Sequence, residues 1–155
     1  MKKVTIFVFL FLWAQVLSAQ TNYTPTGNWI YVNNNDTIEF YFKTDQFITP
    51  NKTYPMIIGF HRYVKNGVLI ESSFDAKNSN FNDELYSVGI SNSFPEKEKL
   101  EGRFKDITLN TKRIICLTKI NPNTINVNLA YIHGVIDNKP NGFTLPTNFT
   151  LIKEL

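Results

Sequence analysis

Four side chains that could do chemistry are grouped around a single predicted turn. His61, Arg62 and Tyr63 are consecutive, and Glu71 follows the dipeptide Asn66-Gly67. Asn-Gly between two apolar runs is the strongest short-range signal for a hairpin with a two-residue type I′ turn. Counting outward from such a turn places Arg62 opposite Glu71. The sequence therefore predicts a cross-strand ion pair, with His61 and Tyr63 beside it on the same strand.

The predicted register leaves two interpretations of this pair open. The neighbouring positions on the predicted face of the hairpin are largely apolar, so Arg62 and Glu71 could line the interior of a barrel. They would then bind the polar head of a ligand, with His61 and Tyr63 as further contacts. Alternatively, the two side chains form a surface pair that contributes only about 0.2–1 kcal/mol.

Elsewhere the sequence offers little for catalysis or metal binding. His61 and His133 are the two histidines, and neither lies in the spacing of a metal site. Asp83-Glu84 is an adjacent acid pair, whereas a glycosidase needs two carboxylates about 5–9.5 Å apart across a cleft. Cys116 lies in an apolar run and is interpreted as a packed strand residue. We expect no metal, no cofactor and no enzymatic activity, with a hydrolase as the minor alternative.

The first 19 residues have the layout of a secretory signal peptide. Lys2 and Lys3 precede an apolar run over residues 4–16, and Ala19 offers a cleavage site. The run is shorter than the roughly 20 apolar residues that span a bilayer. We therefore expect residues 1–19 to be removed. Residues 20–155 would form one exported domain, periplasmic or secreted, with no transmembrane segment.

The composition of this expected mature chain limits its partners. Two of the 16 Lys and Arg residues lie in residues 1–19, which leaves 14 basic residues against 13 acidic ones. A nearly neutral domain has no reason to bind nucleic acid. With one Cys, the chain cannot form an internal disulfide, so an exported domain of this size must be held by its core.

Alternating apolar residues indicate an all-β domain. Ile38, Phe40 and Phe42 alternate with polar residues over residues 37–43, which is the pattern of a half-buried strand. Residues 50–55, bounded by two prolines, are predicted to be a loop, and residues 143–153 a final strand. About eight to nine such strands, with no long amphipathic helix, indicate an antiparallel barrel or sandwich.

Several short segments carry a resemblance to a known group. Gly27-Asn28-Trp29 at the entry of the first strand resembles the Gly-x-Trp signature of lipocalins and other calycins. The longer series, in particular residues 59–67 and residues 145–148, resembles small exported lipocalin-like proteins of unknown function from Bacteroidota. This resemblance implies an up-and-down antiparallel barrel of about eight strands, with Trp29 plugging one end.

Neither the residues nor the resemblance implies an established activity. The first expectation is non-catalytic binding of a small, partly apolar ligand in the barrel. The alternative is a filled barrel that serves as an interaction or structural module, either in the envelope or secreted. An eight-stranded barrel has room for its own side chains or for one small ligand, so the contents of the interior discriminate between the two.

Overall fold

A computed structural model of the chain describes residues 23–91, 98–133 and 140–154. The predicted signal peptide lies outside these residues. Nine strands are present: β1 (Gly27–Asn33), β2 (Asp36–Thr49), β3 (Lys52–Lys65), β4 (Val68–Ser72), β5 (Val88–Ser91), β6 (Lys99–Asp106), β7 (Thr111–Asn121), β8 (Thr124–Ala130) and β9 (Asn148–Lys153). Two single 3-10 turns, Phe74–Ala76 and Phe81–Asp83, lie between β4 and β5. In this part of the chain no helix is long and apolar enough to cross a membrane.

Eight of the strands close into an antiparallel barrel, as the sequence predicts. The order around the ring is β1, β2, β3, β5, β6, β7, β8 and β9, and β9 pairs back onto β1. The ninth strand, β4, pairs with β3 beyond the part of β3 that pairs with β5. The antiparallel order alternates the two ends of the barrel. The turns after β1, β3 and β6 share one end, and the turns after β2 and β7 share the other.

The alternation seen in the sequence produces the core. Ile38, Phe40 and Phe42 of β2 are fully buried inside the barrel. Matching inward positions of the other strands complete one cluster, which includes Trp29, Ile57, Val88, Ile90, Phe104, Ile115, Leu117, Ile125, Val127, Phe149 and Leu151.

The prediction of a loop at residues 50–55 holds only for the turn at residues 50–51 and is wrong for residues 52–55, which belong to β3. β2 and β3 continue beyond the ring as a projecting hairpin that turns at Thr49–Lys52, and Pro55 pairs with Gln46 inside it. Proline has no backbone N–H to donate to a neighbouring strand, so within sheets it is found at edges, at the first residue of a strand or at bulges. Within residues 23–91, 98–133 and 140–154, β3 pairs with β5 only from Met56 onwards, so Pro55 has no ladder partner on that side among them.

The first end of the barrel is covered by the segment before β9. Residues 143–147 were predicted to be strand, but β9 begins only at Asn148. Thr144 instead donates from its N–H and its hydroxyl to the buried carboxylate of Asp106, both at 2.7 Å. The guanidinium of Arg113 donates to the carbonyl of Gly142, and the side chain of Leu145 is buried in the core. These buried polar contacts hold residues 142–145 across the end and prevent them from extending as a strand.

The second end is closed near the chain's first described residues. Trp29 is 1% exposed, and the Nζ of Lys153 lies 5.7 Å from the centre of its ring. Tyr23 is also buried, with the Nζ of Lys119 lying 5.4 Å from its ring centre. Trp29 is therefore the buried plug that the Gly-x-Trp entry predicts.

The Asn66-Gly67 turn forms as predicted. Both residues have positive φ, 50° and 78°, as a type I′ turn requires. We expect Gly67→Val to lower the free energy of unfolding by about 1 kcal/mol or more, because a β-branched residue is strained at positive φ. A denaturant titration measures this cost. Gly67→Asn provides the control, since Asn tolerates positive φ, and a Val variant as stable as the Asn variant would contradict the turn type.

Candidate functional site

The candidate site is a buried acid–histidine pair inside the barrel. His61 on β3 and Glu71 on β4 are 0% and 5% exposed, and His61 Nε2 lies 2.8 Å from Glu71 Oε1. The second carboxylate oxygen accepts from the backbone N–H and the hydroxyl of Thr108, both at 2.8 Å. Glu71 therefore joins β3, β4 and the turn between β6 and β7 through one carboxylate.

A β-bulge explains why this pair replaces the predicted one. The register runs as counted for Lys65–Val68 and Val64–Leu69, but Tyr63 then pairs with Glu71 and not with Ile70. The extra residue on β4 shifts every later position by one. Arg62 is therefore opposite Ser72, so the predicted Arg62–Glu71 pair is wrong.

The shift also decides which side chains point inward. His61 and Tyr63 lie on the inner face of β3, and the bulge brings Glu71 to the same side. Arg62 lies on the outer face, where it forms a salt bridge with Glu39 of β2 and its guanidinium lies 5.7 Å from the ring centre of Phe74. Of the four predicted site residues, His61 and Glu71 are in direct contact and Arg62 is separated from them.

Tyr63 takes part in a neighbouring contact. Its side chain is buried, and its hydroxyl donates over 3.4 Å to the carboxylate of Asp36, the first residue of β2. Burial first, and then the Asp36 carboxylate, raise the pKa of the Tyr63 hydroxyl. Tyr63 therefore remains a neutral donor that ties the end of β3 to the start of β2.

The electrostatics of Glu71 balance two opposed effects. Burial alone would raise the pKa of its carboxyl, but the hydrogen bond and charge of His61, with the two donors of Thr108, lower the pKa below its ordinary value. An ionised carboxylate can only accept hydrogen bonds, so His61 Nε2 carries the proton that lies between the two side chains.

The imidazole of His61 is enclosed by aromatic rings. Its centre lies 5.7 Å from that of Phe40 and 5.0 Å from that of Phe104. Its Nδ1 is buried and has no hydrogen-bond partner in the described part of the chain. The pair is thus sealed from bulk solvent, with the carboxylate fully bonded. Such an arrangement suits a structural cross-link, and it leaves Nδ1 as the one group of the pair that could still bind something.

Three polar residues near this end were not predicted from the sequence. Thr108, Asp106 and Arg113 bond to Glu71, to Thr144 and to the carbonyl of Gly142 respectively. Asp106 and Arg113 lie at inward positions of β6 and β7, where the alternating pattern otherwise places apolar residues. A charged residue at an apolar position of the pattern was therefore the signal that could have identified them. Among the described residues, no group of three His, Cys, Asp or Glu side chains could hold a metal ion.

The lowered pKa of Glu71 predicts a dependence of stability on pH. A carboxyl whose pKa is lower in the folded than in the unfolded state contributes stability above its unfolded pKa. That contribution falls as the pH drops through the ordinary range of a glutamate towards the folded pKa. We expect the denaturation midpoint to fall across this window, and Glu71→Gln to flatten this part of the profile. Equal slopes for both proteins would contradict the assignment.

Arg62 is expected to contribute little to stability. Its side chain is 45% exposed, and exposed ion pairs are worth about 0.2–1 kcal/mol. Arg62→Ala should therefore cost less than about 1 kcal/mol in the free energy of unfolding, and added salt should remove most of the difference. A loss of several kcal/mol, insensitive to salt, would instead place Arg62 in a buried network.

Comparison with known proteins gives a family but no activity. No curated protein and no solved structure matches the chain. A model of a family of unknown function, DUF6705, matches residues 1–154, which is nearly the whole sequence. The chain thus belongs to the family of unknown function DUF6705.

Proposed function

We propose that this protein is an exported, non-catalytic β-barrel whose filled interior serves as a rigid scaffold and whose outer surface makes the functional contacts. One observation carries the proposal: large side chains occupy the inside of the barrel. Phe40, Phe42 and Phe104 are fully buried and surround or adjoin His61. A barrel of eight strands has room for side chains or for one small ligand, and here side chains take the space.

Closure of both ends supports the same proposal. Residues 142–145 cover one end through Arg113 and Asp106, and Trp29 with Tyr23 fills the other. A ligand of drug-like size needs a pocket of about 300–1,000 Å³, mostly apolar and accessible. Entry to this interior would require one of the end segments to move and several aromatic rings to repack.

The proposed export and the lipocalin likeness rest on the sequence and on Trp29. The charged start and the apolar run of residues 4–16 are typical of secretory signals. The position of Lys153 over Trp29 adds a cation–π contact to the Gly-x-Trp entry. These features support kinship with small exported lipocalin-like proteins of Bacteroidota.

A second candidate function, binding of a small ligand inside the barrel, is favoured by one observation. His61 Nδ1 is buried without a partner, and buried polar groups are normally hydrogen-bonded. A ligand at this end would bond to Nδ1 and contact Glu71 or Tyr63, as the sequence predicted for those residues. A single buried water would satisfy the same atom equally well.

Native mass spectrometry of protein purified from its own host distinguishes these functions. The filled scaffold predicts the mass of the polypeptide without a stoichiometric small molecule. A ligand released on denaturation, and no longer retained by the His61→Phe variant, would overturn the filled scaffold in favour of the second candidate.

The same spectra test export. We expect a mature chain that begins at or near Gln20, which also removes Trp13. A chain that retains Met1 and remains in the cytosol would contradict export without bearing on the contents of the barrel.

A further inference from the structure

The outer surface carries a groove of about 410 Å³ with an unusual charge. It lies between the segment before β5 and the strands β6 and β7, where Arg103, Lys105 and Lys112 line it together with Tyr86. All three basic side chains are exposed, and none has an ion-pair partner in the part of the chain that the structure describes. The groove therefore has a positively charged wall.

The strand register brings two of these charges unusually close. Lys105 of β6 and Lys112 of β7 are direct partners across the antiparallel ladder. Like charges at directly opposite positions destabilise a sheet, and an acid at either position would relieve this. Arg103 lies two residues from Lys105 on the same outward face, which adds a third charge to the repulsion. Positions where a local rule is broken without compensation within the fold are where function is expected.

The rest of the groove is shaped by well-anchored elements. Tyr86 stacks on Phe81 with ring centres 5.1 Å apart, and its ring covers Gly89, where a Cβ would lie 2.9 Å from it. Ser87 is buried and its hydroxyl donates to the carbonyl of Gly59. These contacts anchor the Tyr86–Ser87 side of the groove, so the aromatic ring is held in place before any ligand arrives.

From this arrangement we infer that the groove binds a tetrahedral oxyanion, a phosphate or sulfate group carried on a larger ligand. Arg presents a planar fork of donors that matches such oxygens, and Lys adds compact point charges. A concave surface of one sign also concentrates counter-charged ligands. This inference rests on the proposed function, since it names the chemistry of the outer-surface contact.

One acidic side chain sets the direction of binding. Glu84 also lines the groove, and the adjoining groove of about 240 Å³ is lined by Asp75 as well as Glu84. The oxyanion therefore belongs at the Arg103–Lys112 side, away from the carboxylates. Removal of the Glu84 charge should strengthen binding, whereas removal of the lysine charges should weaken it.

The test uses the folded protein at low ionic strength, with inorganic phosphate and inorganic sulfate as probes and chloride at matched ionic strength as the reference. Amide chemical shifts report the site, and we expect changes confined to the segments around Tyr86, Lys105 and Lys112. Lys105→Ala/Lys112→Ala should weaken binding about fivefold or more, and Glu84→Gln should tighten it about two- to fivefold. Phosphate or sulfate should raise the melting temperature of the wild type more than that of the double variant.

A matched variant separates a site from general charge. Lys52→Ala/Lys65→Ala removes two exposed lysines at the two ends of β3, neither of which lines the groove, and changes the net charge equally. It should bind as the wild type does. Equal losses in both double variants, or shift changes spread over the surface, would overturn the inference. In that event, a native mass spectrum without a bound small molecule would still support the filled scaffold. The two proposals can therefore be contradicted independently.

Folding of the groove variant has its own check. Because Lys105 and Lys112 repel each other, Lys112→Ala should leave the melting temperature in anion-free buffer unchanged or raised. A variant that keeps this stability and still binds phosphate as tightly as the wild type would also overturn the inference.

Discussion

The Trp29→Ala variant is expected to lose about 3–5 kcal/mol of unfolding free energy, which is the usual cost of removing a large aromatic side chain from a core. Trp29 is buried beside the end of β9, and its partner across the strand pair is Lys153. Loss of the ring would leave a cavity at the closed end of the barrel and remove the cation–π contact. The total free energy of unfolding of a folded domain is about 5–15 kcal/mol, so this loss would be a large share of the stability.

Denaturant titration measures the loss, and Val32→Ala on the same strand is the control. Val32 is 61% exposed, so its replacement should change the free energy by no more than about 0.5 kcal/mol. A Trp29 variant within that range would contradict its role as a plug. Fluorescence adds a second check, because a buried indole emits at shorter wavelength than a solvated one in the chain that lacks Trp13.

The second large effect is expected at the buried pair. His61→Phe keeps a ring between Phe40 and Phe104 but removes the donor to Glu71, which leaves a carboxylate in a low-dielectric interior. Breaking a buried pair by removing one partner typically costs about 3–5 kcal/mol. We expect a loss of this size, together with a rise in the pKa of Glu71, since burial would then be opposed by Thr108 alone.

The double variant His61→Phe/Glu71→Leu completes the cycle. Replacing both members with apolar residues removes the stranded charge, so much of the lost stability should return. A double variant no more stable than the single one would show that packing, and not the charge, explains the loss. A single variant as stable as the wild type would contradict the stabilising role of the His61–Glu71 hydrogen bond.

The fold was largely predictable because its signals are local. Ile38, Phe40 and Phe42 alternate over a single strand, and Asn66-Gly67 determines a turn from two residues. Both depend on backbone geometry that neighbouring residues set. The same reasoning failed at Pro55, which pairs with Gln46 in the projecting hairpin, because the tolerance of a strand for proline depends on which strands flank it in the assembled sheet.

The sequence indicated that three residues of one hairpin would lie near each other, but it did not indicate how they pair. His61, Tyr63 and Glu71 do lie inside the barrel, yet the bulge at β4 exchanges Arg62 for His61 as the partner of Glu71. No turn residue marks the bulge in the sequence. The bulge is stabilised by contacts with other parts of the chain. It buries Glu71 against Thr108 and leaves the permanently charged Arg62 on the outer face. The sequence of one hairpin cannot predict this contact, because Thr108 lies 37 residues after Glu71 in the chain.

The groove illustrates the same limit on the outer surface. Arg103, Lys105 and Lys112 are unremarkable in a chain with 16 basic residues. Their charges converge only because β6 and β7 pair in one register and the segment before β5 folds over them.

The central claim is that side chains, and not a ligand, fill this barrel. A crystal structure of the protein purified from its own host, without extraction of bound molecules, tests it most directly. We predict continuous side-chain density for Phe40, Phe42 and Phe104 around His61, and at most one ordered water at Nδ1. Density for a bound organic molecule among these rings, with the rings displaced to admit it, would contradict the claim.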